Sequence, residues 1–317
     1  MAETGAGRFA PSPSGPLHVG NLRTAVLAWL FARSTGRRFL LRIEDLDRVR
    51  AGAEAAQLAE LSALGLVSDA AVIRQSERID HYTRALGRLQ DLGLVYECFC
   101  TRRDIAEAAH APHADPGFYP GTCRNLGDGE RARRRAERAP ALRLRSGVDS
   151  WEIDDVLVGR FRAPVDDVVL RRNDGVISYN LAVVVDDAAQ GIDQVVRGDD
   201  LLASAPRQAY LASLLGLPGP TYAHVPLALS PQGKRLAKRD GAVTLEDLAD
   251  LGHAPSAVLA AILGSLELPT GSLAAALGAF DAQRVPREPW IVDPAQLLST
   301  VARPAPEQSA PTDKVHP

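Results

Sequence analysis

Cysteine is scarce: three occur, an odd number, and all lie between positions 98 and 123. Thiols so few and so closely grouped suit a metal site in a reducing compartment rather than a disulfide framework. Long hydrophobic runs are missing too. Stretches such as "LAVVV" and "VLAAIL" are far too short to span a bilayer. The opening "MAETGAGRFAP" lacks the basic-then-apolar pattern of a secretory signal. The expected location is therefore the cytoplasm, with no membrane partner. Positive charge is not in excess, since the net charge is -3 and the pI near 6.2. That excludes a wholesale basic surface, so a nucleic-acid partner would need a local cluster of Lys and Arg. The Gly-x-Gly-x-x-Gly fingerprint does not occur, which disfavours a dinucleotide site. No Ser/His/Asp arrangement and no internal repeat stand out.

What is present is enough apolar sequence, 46% of 317 residues, for a sizeable core and more than one domain. "GRFAPSPSGPLHVGN", residues 7 to 21, reads as a strand, a Pro/Ser/Gly turn and a helix start. His18 and Gly20 stand where that helix begins, and unpaired N–H groups there favour anions. Apolar residues at Leu22, Ala25, Val26, Trp29 and Leu30 give the helix a buried face, with Gly36 as its stop. "FLLRI" then reads as a strand buried on both faces, completing a βαβ unit that starts a parallel sheet. Further helices are predicted from about Glu54 to Leu64 and from after Ser76 to Gly93. After "LVYECFC" the composition changes, up to about Pro140, as an insertion between halves of the sheet would. "VISYNLAVVVDD" and "DQVVRGDDLL" restore strand-like patterning, and "RQAYLASLLG" restores a helix. From Thr244 the chain reads as helical, with Thr244 and Asp247 at capping-box spacing and Pro255 placed for a first turn. The last stretch, "RPAPEQSAPTDKVHP", is too poor in apolar residues to pack and reads as a disordered tail.

Five constellations carry possible chemistry, each beside a plainer alternative. His18 and Gly20 place an imidazole against ATP phosphates and let adenine approach the backbone, or they are merely a polar turn residue and a helix-start glycine. "KRLAKRDGA", residues 234 to 242, offers four cations in six positions. Lys238 there could stabilise departing pyrophosphate, or the run is a solvated loop. Cys98, Cys100 and Cys123 offer three soft ligands for a closed, structural zinc site. Chemistry alone leaves the fourth ligand open among His110, His113, Asp115 and, less expected, Tyr119. Arg8, Glu44 and Arg197 fall at strand ends, where ligands bind in open parallel sheets and arginines grip carboxylates; surface ion pairing is the alternative. "RARRRAER", residues 131 to 138, reads as a solvated helix face, with RNA phosphate contact as its other possibility.

Taken together and in order, "RFAPSPSGPLHVGNLRTA", "LLRIEDLD", "RQSERIDHYTRAL", "YECFCTRRDI", "FYPGTCR", "ISYNLAVVVDD", "VVRGDDLL" and "RLAKRDGA" resemble the class I glutamyl-tRNA synthetases. HVGN is similar to that class's first signature and RLAKR to its second, lysine-bearing loop. The resemblance spans roughly residues 7 to 300. Too few residues follow Thr244 for the helical anticodon-binding domain. That shortness, the cysteine pattern and "RVPREPWIV" resemble the truncated paralogue family, the glutamyl-Q tRNA(Asp) synthetases.

The resemblance implies an α/β fold: a Rossmann-like parallel sheet with a zinc-binding insertion and a C-terminal helical subdomain. Its expected segments are 1–97 and 168–230 for the two halves of the catalytic domain and 98–167 for an insertion with the zinc motif and an acceptor-binding subdomain. A signature-loop and helical subdomain would occupy 231–302, and the tail 303–317. It implies tRNA-independent activation of L-glutamate by ATP with Mg²⁺, then attachment to queuosine in the anticodon of tRNA(Asp), by a monomer with no obligate protein partner. Arg8, Phe9, Ala10, Pro11, Ser12 and Glu44 would line the glutamate pocket, Arg8 toward the side-chain carboxylate and Glu44 toward the ammonium. Tyr179 and Arg197 would complete it. His18, Gly20, Asn21, Arg235 and Lys238 would serve ATP, and Cys98, Cys100, Tyr119 and Cys123 would bind zinc. The second signature departs from the pattern: Arg235 and Ala237 stand where lysine and serine are usual. Rival expectations are a minimal glutamyl-tRNA synthetase charging the 3′ end, a ligase with a small-molecule acceptor, and a non-catalytic RNA- or zinc-binding paralogue.

Overall fold

The computed structural model describes residues 5–101, 103–105, 118–236, 243–250, 252–293 and 297. His110, His113, Asp115, Ala237, Lys238 and the expected tail lie outside the described residues. Strand β1 (Ala6–Phe9) runs through the Pro/Ser/Gly turn into helix α1 (Val19–Ser34) and on to β2 (Arg38–Ile43), which pairs parallel to β1. Leu22, Ala25, Val26 and Leu30 are buried, and so are Leu27 and Phe31, so α1 is enclosed on more than the one predicted face. Each fully buried aliphatic side chain of this kind contributes roughly 1.5–3 kcal/mol. Trp29 is only partly buried and lies over the guanidinium of Arg33. The chain leaves α1 at Gly36, whose φ of 69° is accessible at no steric cost to glycine.

Ten further strands follow: β3 (Ile73–Arg74), β4 (Val95–Cys98), β5 (Ala141–Leu144), β6 (Ser150–Asp155), β7 (Gly159–Pro164), β8 (Val169–Arg171), β9 (Ile192–Gly198), β10 (Thr221–Val225), β11 (Ala228–Leu229) and β12 (Trp290–Ile291). The central sheet has seven strands in the order β3-β2-β1-β9-β10-β6-β7. All its pairings are parallel except the β6–β7 hairpin at one edge. The chain therefore winds outward from β1 in one direction and resumes at β9 in the other. That reversal makes the carboxyl ends of β1 and β9 a topological switch point, where open α/β sheets bind ligands. A separate antiparallel sheet, β4-β5-β8, carries the cysteine-bearing turn.

Helices α2 (Ala53–Ala63) and α3 (Ile79–Asp91) agree with the apolar periodicity, α3 being preceded by a 3₁₀ turn at Gln75–Arg78. The stretch read as strand-like, "VISYNLAVVVDD", is instead mostly helix, Tyr179–Ala189. Its β-branched run lies inside the second core cluster, where Val183, Val184 and Val185 are all buried, so the sequence shows no alternation of exposure to betray a helix. Tertiary packing overrides the β propensity of valine here. The Ser178 side chain caps the helix, accepting from the Leu181 N–H. Beyond Thr244 come the helices Leu245–Asp250, Pro255–Gly264 and Leu273–Ala279, then a 3₁₀ turn at Ala282–Arg284 and the short strand β12. The Thr244–Asp247 capping box is formed in both directions, and Pro255 occupies the first turn of its helix. The arginine run lies on helix Asp128–Glu137, which has no buried residue. There Arg131 pairs with Asp128, Arg133 and Arg134 with Glu130, and Arg135 with Glu97. It is a solvated helix face. Among the described residues no helix is long and apolar enough to cross a membrane.

Candidate active site

The turn between β1 and α1 is held from below by α2. The Gln57 amide donates to the carbonyls of Ser12 and Gly15, and the Glu60 carboxylate accepts from the Leu17 N–H. This support delivers His18 to the N-cap of α1. Its Nδ1 accepts from the Asn21 backbone N–H at 3.2 Å while the Asn21 side chain accepts from the His18 N–H at 3.3 Å. Burial, with a smaller contribution from nearby Arg235, pushes the imidazole down to about 4, so it is neutral at pH 7. Because Nδ1 is an acceptor, the remaining ring proton sits on Nε2. The cap therefore sets the tautomer, and His18 is left with one N–H to donate.

His18, Gly20, Asn21 and Arg235 line a small cavity of about 210 Å³, together with Thr24 and Asp200. The start of the second signature stands against it: Arg235 pairs with Asp200 at 2.6 Å and Leu236 is buried. On the far side of the undescribed segment, the Val243 carbonyl accepts from Val19 N–H at 3.0 Å and Thr244 bridges to His18. A Cβ on Gly20 would stand 3.0 Å from the Ala228 Cβ and 3.1 Å from the His18 ring. Displacing that ring should cost about 1–3 kcal/mol, as overpacking does. Gly20→Ala is therefore expected to raise the KM for ATP about tenfold or more while leaving that for the amino acid nearly unchanged. Equal changes in both, measured by steady-state kinetics, would contradict this placement.

A larger cavity of about 1140 Å³ adjoins the first, sharing Asn21, Asp200 and Arg235 with it. It gathers the candidates from β1 and its turn, namely Arg8, Phe9, Ala10, Pro11 and Ser12. Glu44 enters after β2, Tyr179 at a helix start, and Arg197 near the end of β9. Cys100 also reaches this cavity.

Charge in the cavity wall is arranged in two parts. Arg8 donates its Nε–H to Asp187 Oδ1 at 3.0 Å, and Arg42 donates to the same oxygen at 2.7 Å. Arg42, fully buried, also reaches Glu44 at 3.3 Å. Although burial works to raise it, the arginines Arg8 and Arg42 hold the Asp187 carboxyl below the usual range. For Glu44, burial prevails over the pull of Arg42 and Arg8 and moves the carboxyl up. The neighbouring Asp186 is fully buried and accepts from Arg78, Tyr82 and Gln75. Arg197 differs. Its guanidinium is held by neutral acceptors, the His224 Nε2 at 3.0 Å, Gln208 Oε1 at 2.7 Å and Tyr179 Oη at 3.4 Å. It is 6% exposed and has no carboxylate partner among the described residues.

Arg42, Asp186, Asp187, Gln57, Gln208 and His224 were not singled out from sequence. The two aspartates close the valine run that reads as a strand. Consecutive acids at the end of an apolar stretch were the signal that a buried ion-pair network needs them.

Cys98, Cys100 and Cys123 bring their sulfurs within 4.8 Å of one another. The Tyr119 hydroxyl lies 3.3 Å from the Cys98 Sγ and 3.8 Å from that of Cys100. The Phe99 N–H points at the Cys123 sulfur at 3.4 Å. Three converging soft donors, one stabilised by a backbone N–H, fit a metal ion of zinc type.

A mostly parallel sheet, a capped helix start after β1 and a cleft at the switch point make an open α/β ligand-binding domain. The family model for tRNA synthetases class I (E and Q), catalytic domain, matches residues 6–267. A glutamyl-Q tRNA(Asp) synthetase of Nocardia farcinica is 64% identical over 295 residues, covering 93% of this chain and 95% of the relative. One from Symbiobacterium thermophilum is 44% identical over 317 residues, covering 93% and 98%. Among solved structures, a glutamate tRNA ligase from Elizabethkingia meningosepticum in complex with its amino acid matches with a TM-score of 0.78. That match is at 28% identity over 93% of this chain and 68% of the other. The chain belongs to the glutamyl-Q tRNA(Asp) synthetase family, and it is a ligase.

Proposed function

We propose that the chain activates L-glutamate with ATP, in the absence of tRNA, to glutamyl-adenylate and transfers the glutamyl group to queuosine in the anticodon of tRNA(Asp). It would act as a monomer in the cytoplasm. The observation that carries the activation step is the buried, un-neutralised Arg197 opening on the same cavity as Arg8 and Glu44. In this reading Arg8, whose terminal nitrogens are not used on Asp187, faces the side-chain carboxylate. Arg197 and Tyr179 complete the grip, and Glu44 takes the ammonium. Phe9, Ala10, Pro11 and Ser12 form the floor. ATP occupies the smaller cavity, its adenine against Gly20 and its phosphates toward Asn21, Arg235, Lys238 and the Nε2–H of His18.

One oxygen of the glutamate α-carboxylate attacks the α-phosphorus in line, and the bond to the pyrophosphate oxygen breaks. No side chain acts as nucleophile. Catalysis is positioning plus stabilisation of developing phosphate charge by the helix start, His18 and Lys238. Mg²⁺ bound with ATP would supply further neutralisation of the phosphates. Cys98, Cys100, Cys123 and Tyr119 would hold a zinc ion, whose chemistry here is to cross-link the turn of the insertion.

Glutamate-dependent ATP–pyrophosphate exchange without tRNA tests the activation step, and an exchange that demands tRNA would contradict it. The pocket also predicts an order of rejection. Glutamine leaves a buried guanidinium unpaired, at roughly 3–5 kcal/mol, or on the order of a few hundred- to several thousand-fold. Aspartate is one methylene shorter, worth about 1–3 kcal/mol. Competition in the exchange assay should therefore show glutamine rejected more strongly than aspartate. The reverse order would exclude this arrangement of arginines.

A further inference from the structure

Two of the groups that orient the Arg197 guanidinium, His224 and Gln208, do not line the cavity. In the pairing of β9 with β10, Arg197 lies directly opposite His224, and on the next strand Tyr222 lies opposite Asp155, the last residue of β6. Three side chains thus run laterally across adjacent strand ends. Arg197 donates its Nε–H to His224 Nε2 at 3.0 Å, and His224 Nδ1 meets Asp155 Oδ2 at 2.6 Å. Neither His224 nor Asp155 lines the cavity, and both are buried.

The chemistry leaves one arrangement of protons. A guanidinium Nε always carries hydrogen, so the imidazole Nε2 facing it must be the bare, accepting nitrogen. The ring proton then sits on Nδ1 and is donated to Asp155. Asp155 is itself fixed, its Oδ1 accepting from the N–H groups of Leu157 and Val158 and its Oδ2 also from the His224 N–H. The ring is further held by stacking on Tyr222 at 5.7 Å. We propose that His224, with its tautomer set by Asp155, is a positioning residue that aims the Arg197 guanidinium at the carboxylate of the bound amino acid and so sets the affinity for glutamate. This rests on the reading of Arg197 as a carboxylate ligand.

The relay predicts a specific pattern of kinetics. His224→Leu removes the acceptor of Arg197 but leaves Asp155 with its three backbone donors. It should raise the glutamate KM by roughly ten- to hundredfold, the scale of a lost hydrogen bond to a charged group. The ATP KM and kcat should stay within about twofold, because the ATP cavity is not touched. His224→Gln, which keeps an acceptor and a donor, should restore most of the affinity. Arg197→Leu should raise the glutamate KM by about a hundredfold or more, and the double variant should be no worse than Arg197→Leu alone, since the two act as one unit.

The experiment is this double-mutant cycle in full-length protein, read by ATP–pyrophosphate exchange. An unchanged glutamate KM in Arg197→Leu would overturn the pocket reading together with this inference. An effect of Arg197→Leu that is unmatched by His224→Leu, or effects that simply add, would overturn the inference alone. A second readout needs no folded Leu variant. Nitrogen-15 spectra of the wild-type imidazole, assigned against His224→Gln, should show a protonated Nδ1 and a bare Nε2, and a protonated Nε2 would overturn it.

Discussion

Asp187→Ala is expected to cost the fold roughly 3–5 kcal/mol, because removing one member of a buried charge cluster strands the others. The carboxylate oxygen lost is the one shared by Arg8 and Arg42, at 3.0 and 2.7 Å. Arg42 keeps Glu44 at 3.3 Å and Gln190 at 2.9 Å, but Arg8 has no other acidic partner among the described residues. Arg8 in the cavity wall and Arg42 buried behind it would then lie side by side without the carboxylate between them. Against the total stability of about 5–15 kcal/mol usual for native proteins, this is a large share. Urea titration followed by circular dichroism would measure it, and a loss below about 1 kcal/mol would contradict the network's importance. Asp187→Asn, which keeps the shape and an acceptor, should fall between wild type and Asp187→Ala. It also tests the sign of the pH dependence. The Asp187 carboxyl lies below its ordinary value in the folded state, so its contribution is complete above about pH 4 and drains away as the pH falls through the folded value. In Asp187→Asn that part of the acid limb should disappear.

Lys238→Ala is expected to lower the rate of glutamate activation by about a hundred- to a thousandfold, the usual scale for losing one group that stabilises transition-state charge. Glutamate affinity should change little, since Arg8, Glu44 and Arg197 enter the larger cavity from β1, the end of β2 and β9. The structural support lies in the residues flanking the segment. Arg235 and Leu236 line the small cavity on one side, and on the other Val243 and Thr244 are bonded to Val19 and His18. The residue that precedes Ala237 and Lys238 thus lines the cavity proposed to bind ATP, and Val243, which follows the segment, is bonded to the helix start. Pre-steady-state exchange would separate rate from binding, and near-normal turnover would remove Lys238 from the mechanism.

The first half of the sheet was legible in the sequence because its signals are local. Apolar spacing set α1, Gly36 ended it, and a short apolar run made β2. The cysteine cluster was legible for the same reason, since two thiols in one tight turn need only one return of the chain. The approach of the Tyr119 hydroxyl to the Cys98 sulfur was not, because spacing alone did not single it out from His110, His113 and Asp115. Helix Tyr179–Ala189 was misread because its central run, Leu181–Asp187, is buried all round and carries three valines, so it shows no exposed stripe, and the error hid Asp186 and Asp187. The pairing of Arg197 with His224 was out of reach for a different reason. It depends on the register between β9 and β10, which tertiary assembly fixes and no short window of sequence records.

The measurement closest to the central claim uses two pools of tRNA, one from cells that make queuosine and one from cells that cannot. Each is incubated with the protein, ATP and labelled glutamate. The account predicts label in the queuosine-containing pool alone, attached within the anticodon of tRNA(Asp). Equal label in both pools, recovered at the 3′ end, would contradict it and make the chain a minimal glutamyl-tRNA synthetase.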